Sequence, residues 1–293
     1  MKYVQSFWSK PLSDALKGDD HPINYFAGFP NRFSFLCVWT YSCLSIKEFY
    51  PNLHFVTDDA GIDLFEEKLQ LPYTSFSREL NQLEELPSYL WAFGKLKAYG
   101  LQEEPFCHID GDVCLFGPVL DKITNAPLFF QSFDHYFDIY SKVHQDVHEN
   151  YQKVPTDFQS ELSSNMKYIN AGVLGGNDIN SIKSYVDQAF ELIHRNKHLI
   201  NAKKSWELNL YCEQFLISNM IERHNIDCKF LFSDPDEGDR YNFADFEGIP
   251  NRSQYIHLYF NKKRKTDYIE QIVARLQLEY PNYYQRILNL DTL

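Results

Sequence analysis

The chain has 293 residues, 44% apolar and 16% aromatic, enough to bury the core of one large α/β domain or of one domain with additions. Its 28 Lys and Arg face 40 Asp and Glu, and the resulting net charge of −12 disfavours non-specific binding to nucleic acid or to an anionic membrane. No stretch approaches the roughly 20 apolar residues of a membrane span, and the N-terminus lacks the apolar core of a signal peptide, so a cytoplasmic protein with no transmembrane segment is expected.

Lys2 to Phe7 alternates weakly and reads as a first strand. The apolar segment holding Phe33, Leu36, Cys37, Cys43 and Leu44 reads as a buried helix that ends at Tyr50-Pro51, because proline disfavours the helical conformation in the residue before it. Leu53 to Val56 is a short strand running into Asp58 and Asp59, Ile62 to Leu69 a helix, and Trp91 to Leu101 a helix that delivers Lys95 toward the next strand. Leu128 to Ser132 and Tyr168 to Leu174 read as strands, the latter closed by Gly175-Gly176. The polar, weakly periodic residues between them, 134 to 165, read as a long loop that closes over a ligand. Ile179 to Arg195, capped by Asn177 or Asp178, and Trp206 to Arg223 have helical periodicity. Lys229 to Phe232 and Tyr255 to Leu258 read as late strands, and residues 266 to 289 as a helical region interrupted at Tyr280-Pro281. The six cysteines, 37, 43, 107, 114, 212 and 228, lack paired C-x-x-C spacing and read as reduced thiols, mostly buried.

The central stretch is Phe106 to Pro118, F-C-H-I-D-G-D-V-C-L-F-G-P. If Phe106 to Ile109 is a buried strand, Asp110 and Asp112 emerge at its carboxyl end, where ligands bind in open α/β sheets. Two carboxylates so close repel each other, and a divalent cation would supply the missing charge. A solvated Asp-Gly turn is the other reading of the same residues.

Several stretches in order resemble nucleotide-sugar glycosyltransferases of the GT-A fold, especially retaining family 8 and related bacterial proteins. They are V-T-D-D at 56 to 59, G-K-L-K-A-Y at 94 to 99, H-I-D-G-D-V at 108 to 113, Y-I-N-A-G-V-L at 168 to 174, C-E-Q-F-L at 212 to 216 and Y-I-H-L-Y-F-N-K-K at 255 to 263. The resemblance implies an α/β, Rossmann-like mixed sheet flanked by helices, a GT-A-like domain over residues 1–265, and a C-terminal helical extension over 266–293 packed on it. It further implies transfer of a sugar from a nucleoside-diphosphate sugar, a UDP-sugar by likeness, to a carbohydrate or other hydroxyl acceptor with retention. Asp110 and Asp112 match the D-x-D pair that holds manganese or magnesium, with His257 as third ligand, and Lys263 matches a lysine that reaches the diphosphate. Asp58, Lys95 and the turn Asn170, Ala171, Gly172 match donor-binding positions, and Glu213 and Gln214 a pair beside the reacting sugar carbon. The glycine usual between the late histidine and lysine is absent here, and Gln5, Ser6 and Ser9 match the nucleotide-contacting start of the first strand only loosely. Two other readings stay open. One is a haloacid-dehalogenase-like phosphatase with Asp110 as nucleophile and Asp234, Asp236 and Asp239 as its late acidic motif; the other is a non-catalytic nucleotide-sugar-binding protein.

Overall fold

The computed structural model describes residues 1–16, 26–134, 137–151, 154, 168–233 and 243–291. In chain order the strands are β1 Lys2–Phe7, β2 Leu53–Thr57, β3 Ser75–Ser77, β4 Phe106–Ile109, β5 Val113–Leu115, β6 Leu128–Asp134, β7 Tyr168–Gly176, β8 Cys228–Phe232 and β9 Tyr255–His257. The α-helices used below are α1 Lys10–Leu16, α2 Arg32–Phe49, α3 Ala92–Gly100, α4 Phe137–Asn150, α5 Ile179–Arg195, α6 Ser205–Leu210, α7 Leu216–His224, α8 Thr266–Glu279 and α9 Pro281–Asp291. The chain divides into two compact units. One comprises Lys2–Glu84, Ile109–Val119 and Asn242–Leu293; the other comprises Met1, Glu85–His108 and Leu120–Tyr241.

In the first unit β1 and β2 run parallel, with Gln5 opposite Phe55, and β3 adds to the far side of β2, also parallel. Both faces of β1 are largely buried, as expected of a parallel strand covered on two sides. The α2 helix is buried almost all round from Ser34 to Ile46, which is why its apolar residues show no clean stripe. Asn31 caps its start by accepting from the Ser34 N–H at 2.8 Å, and the helix ends at Tyr50, ahead of Pro51. Phe7, Trp39, Phe55 and Phe65 knit this helix to the strands, edge to face at 5.3 Å between the Phe7 and Trp39 centroids and at 5.2 Å between those of Phe55 and Phe65, and tilted between Trp39 and Phe65. α8 and α9 pack on α2, with the Tyr41 hydroxyl donating to Glu279 at 2.8 Å and Arg32 to the Leu290 carbonyl at 2.9 Å.

In the second unit the strand order is β4-β7-β6-β8, with β6 antiparallel to β7 and parallel to β8. The α5 helix buries Ile182, Tyr185, Val186, Ala189, Leu192 and Ile193, a 3.6-residue stripe set against α3, where Phe93 and Phe190 meet edge to face at 5.1 Å. Asp178 caps α5 through the Ser181 N–H at 3.1 Å. Between α6 and α7 the turn Tyr211–Phe215 is widened: the Leu216 N–H reaches back five residues to the Tyr211 carbonyl. Such widened turns recur at functional sites, and this one carries Glu213 and Gln214.

Both units are strands flanked by helices, the mixed α/β class expected. The expected strands and helices are present within a residue or two at their ends, and all six cysteines are free. One expectation fails. The supposed loop from 134 to 165 contains α4, whose Tyr140, Val143 and Val147 are buried at helical spacing. That stripe is only three residues wide among nine polar ones, too sparse to stand out from a polar loop. Residues 135–136, 152–153 and 155–165 of the expected lid lie outside the described residues, as do Asp234, Asp236 and Asp239. Among the described residues no helix is long and apolar enough to cross a membrane.

Candidate metal and donor site

The chain turns sharply after β4: the Val113 N–H donates to the Asp110 carbonyl at 3.1 Å, so D-G-D-V is a tight turn leading into β5. It is not a solvated one. Asp112 is buried and Asp110 half-buried, and Gly111 lies against the face of Trp39, where an added Cβ would come within 2.4 Å of the indole. Beneath the turn, the buried Gln5 amide donates to the Ser42 hydroxyl at 2.9 Å and to the Asp110 carbonyl at 3.3 Å, while its oxygen accepts from Tyr73 at 2.7 Å. Ser42 in turn donates to the Val113 carbonyl. These side chains fix the carboxylate turn from below, a role hinted at in the sequence only by a glutamine and a serine inside apolar segments.

His257 arrives from the far end of the chain because β9 pairs antiparallel with β5, placing it opposite Val113. The Leu258 N–H donates to the Asp112 carbonyl at 3.1 Å and the His257 N–H to the Phe243 carbonyl at 2.7 Å, which locks the register. Nε2 of His257 then lies 3.3 Å from Oδ1 of Asp112, and Nζ of Lys263 lies 3.0 Å from Oδ2. The lysine stem runs past Gly28, whose φ of +93° and 3.2 Å clearance to Cδ favour glycine, and its ammonium also donates to the Ala27 carbonyl at 3.2 Å. Burial pushes the Asp112 carboxyl up, but the charges of Lys263 and His257 and their hydrogen bonds outweigh it and hold the group well below the usual carboxylate range.

Asp110, Asp112 and His257 each offer one ligand atom, all within 4.8 Å of one another. Adjacent ligands on an octahedral ion at about 2.1 Å stand about 3 Å apart, close to the His257–Asp112 separation. Two carboxylates and one imidazole thus form a donor set that fits a divalent cation.

The second unit holds the other expected residues except Asp58. Lys95 on α3 pairs with Glu213 at 2.6 Å and donates to the Ala171 carbonyl at 3.0 Å, with side-chain exposures of 14% and 4% for the pair. The Tyr185 hydroxyl donates to the Glu213 carbonyl at 2.7 Å. Asn170 accepts from the Gly172 N–H at 3.0 Å, making a local turn within β7. Gln214 meets the hydroxyl of Tyr140, which also reaches Asp134 at 2.9 Å; Tyr140 is a neighbour that the expected loop concealed. Asp58, in the first unit, accepts from the Ser9 N–H and hydroxyl at 2.8 Å each and from the Gly61 N–H at 3.0 Å, so it caps a helical turn and ties down the end of β1. The structure therefore brings Asp110, Asp112, His257 and Lys263 into one cluster and Lys95, Ala171 and Glu213 into another.

A family model described as "Family of unknown function (DUF6734)" matches residues 1–290. No curated protein matches the chain. Similar solved structures include galactosyltransferase LgtC in complex with donor and acceptor sugar analogs, at 10% identity and a TM-score of 0.45 over 94% of this chain and 96% of that one. Glycosyltransferase GlyE of Streptococcus pneumoniae TIGR4 matches at 10% identity and a TM-score of 0.40 over 95% of this chain, which spans 63% of that one. Mouse xyloside xylosyltransferase 1 in its apo form matches at 11% identity and a TM-score of 0.40 over 89% of this chain and 98% of that one.

Proposed function

The chain belongs to this family of unknown function, and we propose, from its own residues, that it is a metal-dependent glycosyltransferase moving a sugar from a UDP-sugar to a hydroxyl acceptor with retention. The observation that carries the reading is the convergence of Asp110, Asp112 and His257 within 4.8 Å, with Lys263 on the same carboxylate. Sugar transfer fails unless the negative charge growing on the departing diphosphate is stabilised, which an acidic chain must do locally. A divalent ion, manganese or magnesium, supplies Lewis-acid stabilisation of that charge when bound by Asp110, Asp112 and His257. Lys263 holds a second positive charge beside the same carboxylate and can transfer its hydrogen bond from Asp112 to a phosphate oxygen. In retaining transfer the acceptor hydroxyl arrives on the face from which the diphosphate leaves, so a phosphate oxygen takes its proton and no dedicated base is needed. Roles for Asp58, Lys95, Asn170, Ala171 and Gly172 toward the donor, and for Glu213 and Gln214 toward the reacting carbon, belong to the same proposal, as does the cytoplasmic location.

The purified protein is incubated with a panel of nucleoside-diphosphate sugars and manganese, and released nucleotide and inorganic phosphate are followed separately. Nucleotide release that is lost with EDTA and falls at least 100-fold in Asp110→Asn and His257→Ala is expected, with the anomeric configuration of the product set by NMR. Inorganic phosphate from simple phosphate esters, with no nucleotide-sugar turnover, would point to the phosphatase instead.

A further inference from the structure

The segment between His257 and Lys263 carries a cost that its own packing does not explain. The Lys262 N–H donates to the Tyr259 carbonyl at 3.1 Å, closing a four-residue turn whose first central residue is Phe260 at φ +53°. Turns with a positive φ at that position are dominated by glycine, asparagine and aspartate, and for a bulky side chain the conformation is an outlier. Phe260 nevertheless stands there with 67% of its surface exposed, so burial does not offset the strain. Its neighbours are otherwise engaged: Tyr259 packs against His257 at 5.1 Å between centroids, Lys262 lies over the Tyr259 ring at 4.6 Å, and Lys263 is held by Asp112. The turn thus forces one aromatic face into solvent within three residues of both a metal-ligand candidate and the lysine beside it. Strained residues of this kind persist where function uses them.

We propose that Phe260 is a binding residue for the acceptor, its ring a platform on which the apolar C–H face of a sugar stacks. This rests on the glycosyltransferase reading. The acceptor hydroxyl must come within bonding distance of the carbon attached to the diphosphate, so the acceptor lies next to the groups that hold the diphosphate. A nucleobase sits at the opposite end, beyond a ribose. The negative face of the aromatic ring matches the polarised C–H bonds of a pyranose; Lys262 and Lys263 turn inward but Arg264 and Lys265 are exposed, so an anionic lipid surface, against which the net charge of −12 weighs, is the competing outcome that the test reads.

The test needs no turnover. Saturation-transfer NMR is run with methyl glucoside and methyl galactoside, with UDP, and with phosphatidylserine vesicles in parallel binding assays, on wild type, Phe260→Tyr and Phe260→Gly. Transfer to the glycoside ring protons is expected in wild type and Phe260→Tyr, and at least a fivefold loss in Phe260→Gly, whose melting temperature should equal or exceed that of wild type because glycine relieves the turn. Three results would overturn the proposal: no glycoside transfer in wild type, or equal transfer in Phe260→Gly; a loss confined to UDP or to vesicle binding; or a melting temperature several degrees lower in Phe260→Gly, which would make the ring a packing residue. Glycoside binding on Phe260 without turnover of any nucleotide sugar would leave the platform standing and sink the transferase reading alone.

Discussion

The two charged clusters each set a lysine against a buried carboxylate and differ in how their charges are matched. Lys95 and Glu213 close on each other, and the lysine also donates to the Ala171 carbonyl, so one cation there meets one carboxylate. Around Asp112 the matching is many to one: a histidine and a lysine share its two oxygens, and a second carboxylate, Asp110, stands close enough to share a cation. A closed pair must part before either member can act on a ligand, whereas Asp112 can trade one partner for another without being left bare. Surplus partners around one carboxylate therefore mark the place suited to hold a cation, and the matched pair belongs to the sugar end of the proposed donor.

The sharpest way to break the comparison is at the closed pair. Lys95→Met leaves Glu213 almost fully buried with no counter-charge, which should cost about 3–5 kcal/mol of stability, whereas Lys95→Met with Glu213→Leu should recover most of it. Urea unfolding of the three proteins decides this. If the single variant loses less than 1 kcal/mol, Glu213 finds another partner and the pair is not closed.

The next effect is expected at the carboxylate turn. Gly111→Ala puts a methyl group against the Trp39 indole, so the turn or the ring must shift, at a cost of about 1–3 kcal/mol. Because Gln5 and Ser42 hold the turn from below, the shift should displace Asp110 from Asp112, and manganese affinity measured by calorimetry should fall about tenfold or more. An unchanged affinity with reduced stability would mean that the two carboxylates need not be held in register.

Much of this was legible in the sequence, for reasons that differ by residue. β1, β2 and α5 follow from apolar patterning, α2 from a long apolar run, and their ends from caps and stops such as Asp178 and Pro51, because burial dictates those patterns locally. The pair Asp110 and Asp112 is visible as two carboxylates after an apolar run. His257 is not visible from its own surroundings. Its place depends on the β5–β9 pairing, a long-range fact, and only the order of several stretches pointed to it. Gln5, Ser42 and Trp39 escaped as supports because a buried hydrogen bond leaves no periodic trace, and Tyr140 escaped because its helix has too narrow an apolar stripe. The missing glycine between His257 and Lys263 did not abolish the tight turn: Phe260 adopts the left-handed conformation itself.

The smallest expected effect is one that the two units should share, and it sharpens the comparison by being indifferent to it. Cys43 and Cys114 lie buried in one unit, Cys107 and Cys212 in the other, and burial raises all four thiols. For Cys43 burial pushes the group up to about 12, with the Tyr73 hydrogen bond and Lys47 pulling the other way. In the unfolded chain a thiol ionises near pH 8.5. Below that value both states keep the proton and stability is unaffected. Above it the unfolded chain sheds a proton that the folded chain retains, so stability is lost as pH rises, continuing until the folded thiol itself ionises near 12. Each such thiol removes about 1 kcal/mol by pH 9.5. Cys43→Ala should therefore cost some stability at pH 7.5 through lost packing yet flatten the decline between pH 8 and 9.5 by about 1 kcal/mol, and Cys212→Ala should do the same from the other unit. Urea midpoints at the two pH values under reducing conditions measure the slopes. A slope that moves for Cys43 and not for Cys212 would mean that the units unfold separately, each with its own pH dependence.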